Sequence, residues 1–232
     1  MRITFRCPPE LEGLLPKPVA AKTGLPDWFK AMPMHAFDGD LGMDVMTVKK
    51  CPPFVDAMTY GFLMPLPCDV RVSNGRFDWD WDLPPTHTGR HTRAPMTFHL
   101  NTQAIGSPLF EDDKTIVKFN SFWTIELDAG WSLFCTHPVN RPDLPFQSLT
   151  GLVDSDLYTD NFVNFVAKWL DPTFDGVLEK GTPVAQYVPV LREEFDYAFE
   201  TLEHDAADRF KVLRTGVGSG PGVYRRTRRA TK

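Results

Sequence analysis

The residues best placed to do chemistry are two aspartates and a histidine. Gly151-Leu152-Val153-Asp154-Ser155-Asp156 carries an apolar run into a polar turn. Side chains at i and i+2 share a face while a strand stays regular, so Asp154 and Asp156 could act together. His137, at the end of the preceding strand-like run, could oppose them. Neutral imidazole with carboxylates is a zinc or iron donor set. Asp-Ser-Asp after a strand is also ordinary turn chemistry, in which side chains cap backbone donors. The turn reading is adopted, and no metal ligands are assigned. Nucleophilic catalysis has little to stand on. Ser132 and Ser155 lack a G-x-S-x-G setting, and Cys135 lacks a basic neighbour in sequence. Gly216–Gly222 is glycine-rich but contains Pro221 and is expected to lead to no helix, so it is not read as a nucleotide-binding loop.

These residues sit in a stretch, Phe119–Arg192, that reads as successive short strands. Trp123, Ile125 and Leu127 alternate with Thr124, Glu126 and Asp128. Trp131, Leu133 and Cys135 repeat the pattern after an Ala129-Gly130 turn. Val184–Val190 is nearly all apolar, as expected of a strand covered on both faces. Gly130, Pro138, Pro142, Asp171-Pro172 and Gly181 punctuate the runs.

Upstream, Arg2–Cys7 alternates as a half-buried strand and Pro8-Pro9 ends it. Pro26–Met32 reads as a short helix stopped by Pro33. Phe54, Val55 and Met58 share a helical face that Gly61 closes. Phe62–Pro67 and Asp69–Val72 read as strand. Asn74-Gly75 is a hairpin signal, because both residues accept positive φ. Its second strand, Arg76–Asp82, would put Phe77, Trp79 and Trp81 on one face and Asp78, Asp80 and Asp82 on the other. An aromatic core face with a solvated acidic face is preferred there to a calcium ladder. Residues 83–95 form a locally basic loop with His87, Arg90, His91 and Arg93. Met96–Ile105 is left open between helix and strand, and Glu111–Lys114 reads as a turn. Glu203–Arg214 has helical composition.

Two resemblances meet in residues 119–192. The chain resembles a family of uncharacterised bacterial and phage proteins with W-x6-G-W-S-L, H-P-x-N-x-P, L-x-G-x-V-D-x-D and E-K-G-x-P-x2-Q-x2-P-x2-R-E in that order. Here these are Trp123–Leu133, His137–Pro142, Leu149–Asp156 and Glu179–Glu193. That resemblance implies a β fold and assigns no activity. Gly151–Asp156 and Gly181–Gln186 are also similar to two motifs of the dUTP pyrophosphatases. That likeness implies a β-clip fold and a magnesium-dependent nucleotide hydrolysis, with Asp154 orienting water. It makes Asp154 the candidate catalytic residue. His137, Asn140, Arg141, Asp156 and Gln186 are the candidate ligand-binding positions. The chain departs from that pattern where the phosphate motif should lie, since His137-Pro138-Val139-Asn140 stands there.

The chain has 232 residues, 21 of them proline and 18 phenylalanine. So many prolines disfavour long helices and suit short strands. The expected fold is α+β, mainly β: an antiparallel sandwich or barrel with two or three short helices. Residues 1–213 are read as one β-rich domain, and 214–232 as a glycine-rich joint with a basic tail. The tail holds six cations and no acid, leaving the body at −11. It is expected to dock on an acidic surface of its own or a neighbouring subunit, through Val223 and Tyr224, rather than on nucleic acid. With no membrane-length apolar run and no apolar leader, a cytoplasmic protein is expected. The four cysteines form no C-x-x-C pair and are expected to be reduced. The functional expectation is a self-associating ligand-binding or structural domain. The alternatives are the magnesium-dependent hydrolase and a nucleic-acid arm.

Overall fold

The computed structural model describes residues 1–87, 91–109, 115–218 and 222–230. The turn expected at Glu111–Lys114, Arg90, and Ser219-Gly220-Pro221 lie outside the described residues. In chain order the regular elements begin with β1 (Thr4–Arg6), β2 (Val19–Ala20), α1 (Asp27–Ala31), β3 (His35–Asp38), β4 (Met43–Met46) and α2 (Pro52–Thr59). Next come β5 (Phe62–Pro65), β6 (Val70–Ser73), β7 (Arg76–Asp78), β8 (Met96–Phe98), β9 (Ile116–Phe119) and β10 (Thr124–Glu126). Then follow β11 (Trp131–Thr136), β12 (Phe146–Ser148), β13 (Gly151–Val153), β14 (Phe165–Trp169), β15 (Gly176–Leu178) and β16 (Pro183–Leu191). Helices α3 (His204–Gly218) and α4 (Val223–Thr227) come last. The chain is α+β and mainly β, with four α-helices among the described residues where two or three were expected. Its sheets are antiparallel and open, and none closes into a barrel.

Two compact units emerge. The first comprises Met1–Met32 and Asp56–Arg192; the second comprises Pro33–Val55 and Glu193–Lys232. The boundary expected at 213/214 falls inside α3.

The first unit holds a five-stranded sheet of order β13-β11-β16-β5-β2 and a four-stranded sheet of order β12-β14-β9-β8. A three-stranded sheet, β15-β6-β7, and the pair β1-β10 complete it. Strand β14 alternates buried and half-buried positions, so Phe165, Ala167 and Trp169 face the core. Phe165 meets Tyr187 of β16 at 5.1 Å between ring centres, which packs the two larger sheets together. Tyr187 also meets Phe62 at 4.9 Å. Strand β16 has neighbours on both edges, and Val184–Tyr187 are buried in succession. That accounts for its nearly continuous apolar sequence.

The run expected from Phe119 to Gly130 is split. Strand β9 ends at Phe119 and β10 starts at Thr124, in a different sheet. Between them Phe122 takes a φ of +59°. Short polar side chains replace the ladder here. Ser121 Oγ donates to the Val163 carbonyl at 2.7 Å, and Asn120 Nδ2 donates to the Ala94 carbonyl at 3.0 Å.

The Asn74-Gly75 hairpin forms between β6 and β7, with φ of +50° and +71°. Strand β7 stops at Asp78 rather than Asp82. Its partner β6 begins at Val70, opposite the position after Asp78, so the chain beyond runs out of ladder. Residues 96–105 hold both elements left open: β8, then a 3-10 turn at Asn101–Ala104.

The second unit holds the β3–β4 hairpin, whose pairing runs from His35↔Met46 to Asp38↔Met43. Its C-terminal part is a stretch without regular secondary structure, residues 193–203, followed by α3 and α4.

Gly61 bridges α2 and β5 with a φ of +75°. A Cβ there would overlap the Tyr187 carbonyl oxygen on the neighbouring strand. Gly61→Ala should therefore lower stability by about 3 kcal/mol or more, read from urea unfolding midpoints. A loss within experimental error would show that the β5–β16 contact yields easily.

Candidate functional site

Strand β13 ends at Val153, and the chain turns immediately. Leu157 and Tyr158 N–H both donate to the Asp154 carbonyl, at 2.9 and 2.8 Å. Asp154 and Asp156 therefore meet through a turn and not through strand alternation. Their common partner is Arg192, one residue past the end of β16. Arg192 Nη1 donates to Asp156 Oδ1 at 2.7 Å and Nη2 to Oδ2 at 2.5 Å, a two-point fork. Gly130 N–H adds a third bond to Oδ2 at 2.8 Å. The Asp156 side chain is only 6% exposed. Arg192 Nη1 lies 3.2 Å from Asp154 Oδ1, and Ser132 Oγ donates to the same oxygen at 2.6 Å.

This arrangement ties three chain segments together: the β10–β11 turn, the end of β13 and the end of β16. The hydrogen bond from Arg192 is the main reason the Asp156 carboxyl is held at a pKa of about 2. A carboxylate so placed is a poor proton acceptor near neutral pH. The pair does not fit a magnesium ion either. The guanidinium already stands where a cation would bind, and like charges repel at that range. Ser132 is fully buried, and its hydroxyl is used by Asp154 and Arg192.

His137 lies at the other end of β11 from Ser132. Five residue steps separate the two, roughly 17 Å at about 3.3 Å per step. It does not oppose the aspartates. The Ser148 N–H donates to its Nδ1 at 3.2 Å, which makes Nδ1 an acceptor. Nε2–H then donates to the Arg141 carbonyl at 3.0 Å. Burial pushes the His137 pKa down and favours this neutral ring. Both nitrogens are committed to backbone.

Gln186, on β16, is 1% exposed. Its Nε2 donates to the carbonyls of Ala57 and Tyr60, at 2.9 and 2.8 Å, around the end of α2. Its Oε1 accepts from Val139 N–H at 2.9 Å. Asn140 takes the +57° φ of the 138–141 turn. Arg141 forks onto Asp143 through Nε and Nη2, at 2.9 and 2.8 Å to its two oxygens. Burial raises the Asp143 pKa, but the Arg141 bonds outweigh it and the net shift is downward. Trp28 Nε1 also donates to Asp143 at 3.1 Å.

Sequence reasoning missed Arg192 and Ser132 as partners of the aspartates. The available signal was a cation just after an apolar strand. Among the described residues no group of three His, Cys, Asp or Glu side chains is placed to hold a metal. The clefts lie elsewhere. One, of about 350 Å³, is bounded by Cys7, His91 and Asp160. There Thr86 and the Thr92 carbonyl occupy both His91 nitrogens, and burial raises the Cys7 thiol pKa. A neutral thiol beside a committed imidazole is not a nucleophilic pair. In the 83–95 loop, His87 pairs with Glu10, and Arg93 with the Leu83 carbonyl and Asp82. No helix among the described residues is long and apolar enough to cross a membrane. No family model and no curated protein matches the chain.

Gln186→Leu should cost about 2–3 kcal/mol, because three partly buried backbone groups lose their partner together. Chemical denaturation measures it; a cost below about 1 kcal/mol would mean the groups find other partners. Acid should act in two steps. His137 is depressed, so its contribution is lost as pH falls below its ordinary value near 6.5. Asp156 is also depressed, so its contribution holds above 3.8 and is lost as pH falls toward about 2. Melting curves of wild type, His137→Gln and Asp156→Asn against pH should show each variant lacking its own step. Unchanged pH profiles would remove the assignment.

Proposed function

We propose that the chain is a self-associating domain with a ligand-binding or structural role, and that the second unit carries the association. One observation supports this above others. Phe195, Tyr197 and Phe199, in the stretch after β16, are 78%, 75% and 96% exposed. The β3–β4 hairpin adds Phe37, Leu41, Met43 and Met46, all at least half exposed. Aromatic, methionine and arginine side chains are those enriched at protein interfaces. So many large apolar side chains exposed within one unit suit an interface better than a solvated surface.

Charge supplies the partner. Residues 193–205 hold six acids and no lysine or arginine, whereas Arg225, Arg226, Arg228 and Arg229 cluster in and after α4. In a two-fold pair each acidic stretch can meet the other copy's arginines, so the surface is complementary to itself. Tyr224, 40% exposed, adds an apolar anchor. The nucleotide-hydrolase alternative draws no support from Asp154, which lines none of the described clefts. The resemblance to the bacterial and phage family remains a proposal about the fold. Its support is that the motif residues Gly130, Ser132, His137, Asp154, Asp156, Gln186 and Arg192 all take part in the hydrogen bonds described above.

Light scattering coupled to size exclusion should give at least twice the mass of one chain. Replacing Phe195, Tyr197 and Phe199 by Asp together should return it to one. Changing the four tail arginines to glutamate should weaken assembly, and the difference should shrink in high salt. A strict monomer at high concentration would sink the reading. Should the arginine changes leave the mass alone and abolish a salt-sensitive affinity for DNA, the tail is a nucleic-acid arm.

A further inference from the structure

One groove of the first unit is lined mostly by charged side chains that make no ion pair or side-chain hydrogen bond among the described residues. It encloses about 470 Å³, with Arg71, Asp78, Asp80, Lys180, Trp79 and Trp81 around it. Its origin is the early end of β7. Across the three-stranded sheet Val177, Arg71 and Asp78 are in register, so they form one row on one face. Beyond Asp78 the chain leaves the ladder and carries Trp79, Asp80 and Trp81 past the end of that row. The tryptophans are fixed, because both pack against the core. Trp81 also stands edge-on to Phe122 at 5.4 Å. They offer rigid aromatic walls rather than mobile side chains.

The charges differ from those at the networks. Arg6 pairs with Glu126, Arg141 with Asp143, and Arg192 with Asp154 and Asp156. Arg71 and Asp78 stand opposite each other on adjacent strands, yet neither has an ion pair or side-chain hydrogen bond among the described residues. The same holds for the side chains of Asp80 and Lys180. Asp69 is the exception, since its Oδ1 accepts the Lys180 N–H at 2.6 Å.

The geometry points to a binding site for a neutral carbohydrate. Three acids, Asp69, Asp78 and Asp80, face two bases, Arg71 and Lys180. The groove is within one charge of neutral and has no strong preference for an ion of either sign. The acids accept hydrogen bonds, and the guanidinium and ammonium donate them, which matches adjacent hydroxyls on a sugar. Indole faces supply apolar surface for the C–H side of a pyranose ring. The volume lies within the range of small-ligand pockets, and the lining mixes aromatic surface with a few polar groups.

This inference rests on the ligand-binding half of the proposed function and not on self-association. The probe is a set of neutral disaccharides: cellobiose, maltose, lactose and chitobiose. Each is titrated to about 10 mM while tryptophan fluorescence and heat are recorded, and the expected dissociation constant is on the order of 1 mM. At least one should give a saturable response in both readouts. Arg71→Ala and Asp80→Ala change exposed side chains, should leave the circular dichroism spectrum unchanged, and should each weaken binding tenfold or more. Trp79→Ala should abolish the fluorescence response. No saturable response from any disaccharide overturns the proposal. So does unchanged binding in both Arg71→Ala and Asp80→Ala, or a response only to a charged sugar such as glucosamine 6-phosphate. The mass measurement above is read separately, so either result can fail while the other stands.

Discussion

A strand buried on both faces must satisfy every polar group it carries from within the protein. Strand β16 meets that constraint in two ways. Its backbone is paired on both edges, by β11 and β5. The polar side chain within it and the one just past its end are aimed at neighbouring backbone or at counter-charges. Gln186 gathers the end of α2 and the Val139 loop. Arg192 gathers the β10–β11 turn and the end of β13. Between them Tyr187 is enclosed by Phe62 and Phe165. Removing water from this strand strengthens each of these hydrogen bonds and raises the cost of leaving one unmade.

That arrangement gives the sequence motifs a physical meaning. A glycine before Trp131, a histidine followed by a proline turn, an Asp-x-Asp after a strand and a glutamine inside one look like fragments of a catalytic site. In the folded chain Gly130 presents a bare N–H to Asp156, and His137 bridges two backbone groups as a neutral ring. Gln186 replaces water for three more. Polar residues at fixed spacing are needed wherever a sheet ends inside a protein, as well as where substrates react.

What could be read from the chain follows from how local each signal is. Alternation marked β1, β10 and β11, and the Asn74-Gly75 turn placed the β6–β7 hairpin, because both signals are set by a few adjacent residues. The continuous apolar run of β16 announced burial on two sides. The break at Asn120–Trp123 was not readable. Whether Ser121 bonds its own strand or the Val163 carbonyl depends on a segment some forty residues away. The end of β7 was hidden for the same reason, since it is decided by where β6 begins. Arg192 was visible as a cation after a strand, but its acids are supplied by a distant turn. The β3–β4 hairpin lacks an alternating core face; its large apolar side chains are mostly exposed, so a search for buried periodicity passes over it.

The Asp-Ser-Asp turn shows how a neighbour decides what a carboxylate does. An acid that moves protons near neutral pH must have its pKa raised, by burial without a counter-charge or by a second carboxylate. The two aspartates are close enough for the second effect. Arg192 reverses it: the guanidinium lies between them, bonds Asp156 through two atoms and stays within 3.2 Å of Asp154. A positive charge at that position holds the Asp156 carboxyl well below its ordinary range, and both side chains act as anchors for the end of β16. The residue types permit proton transfer, and the placement of one arginine turns them to holding the sheet together.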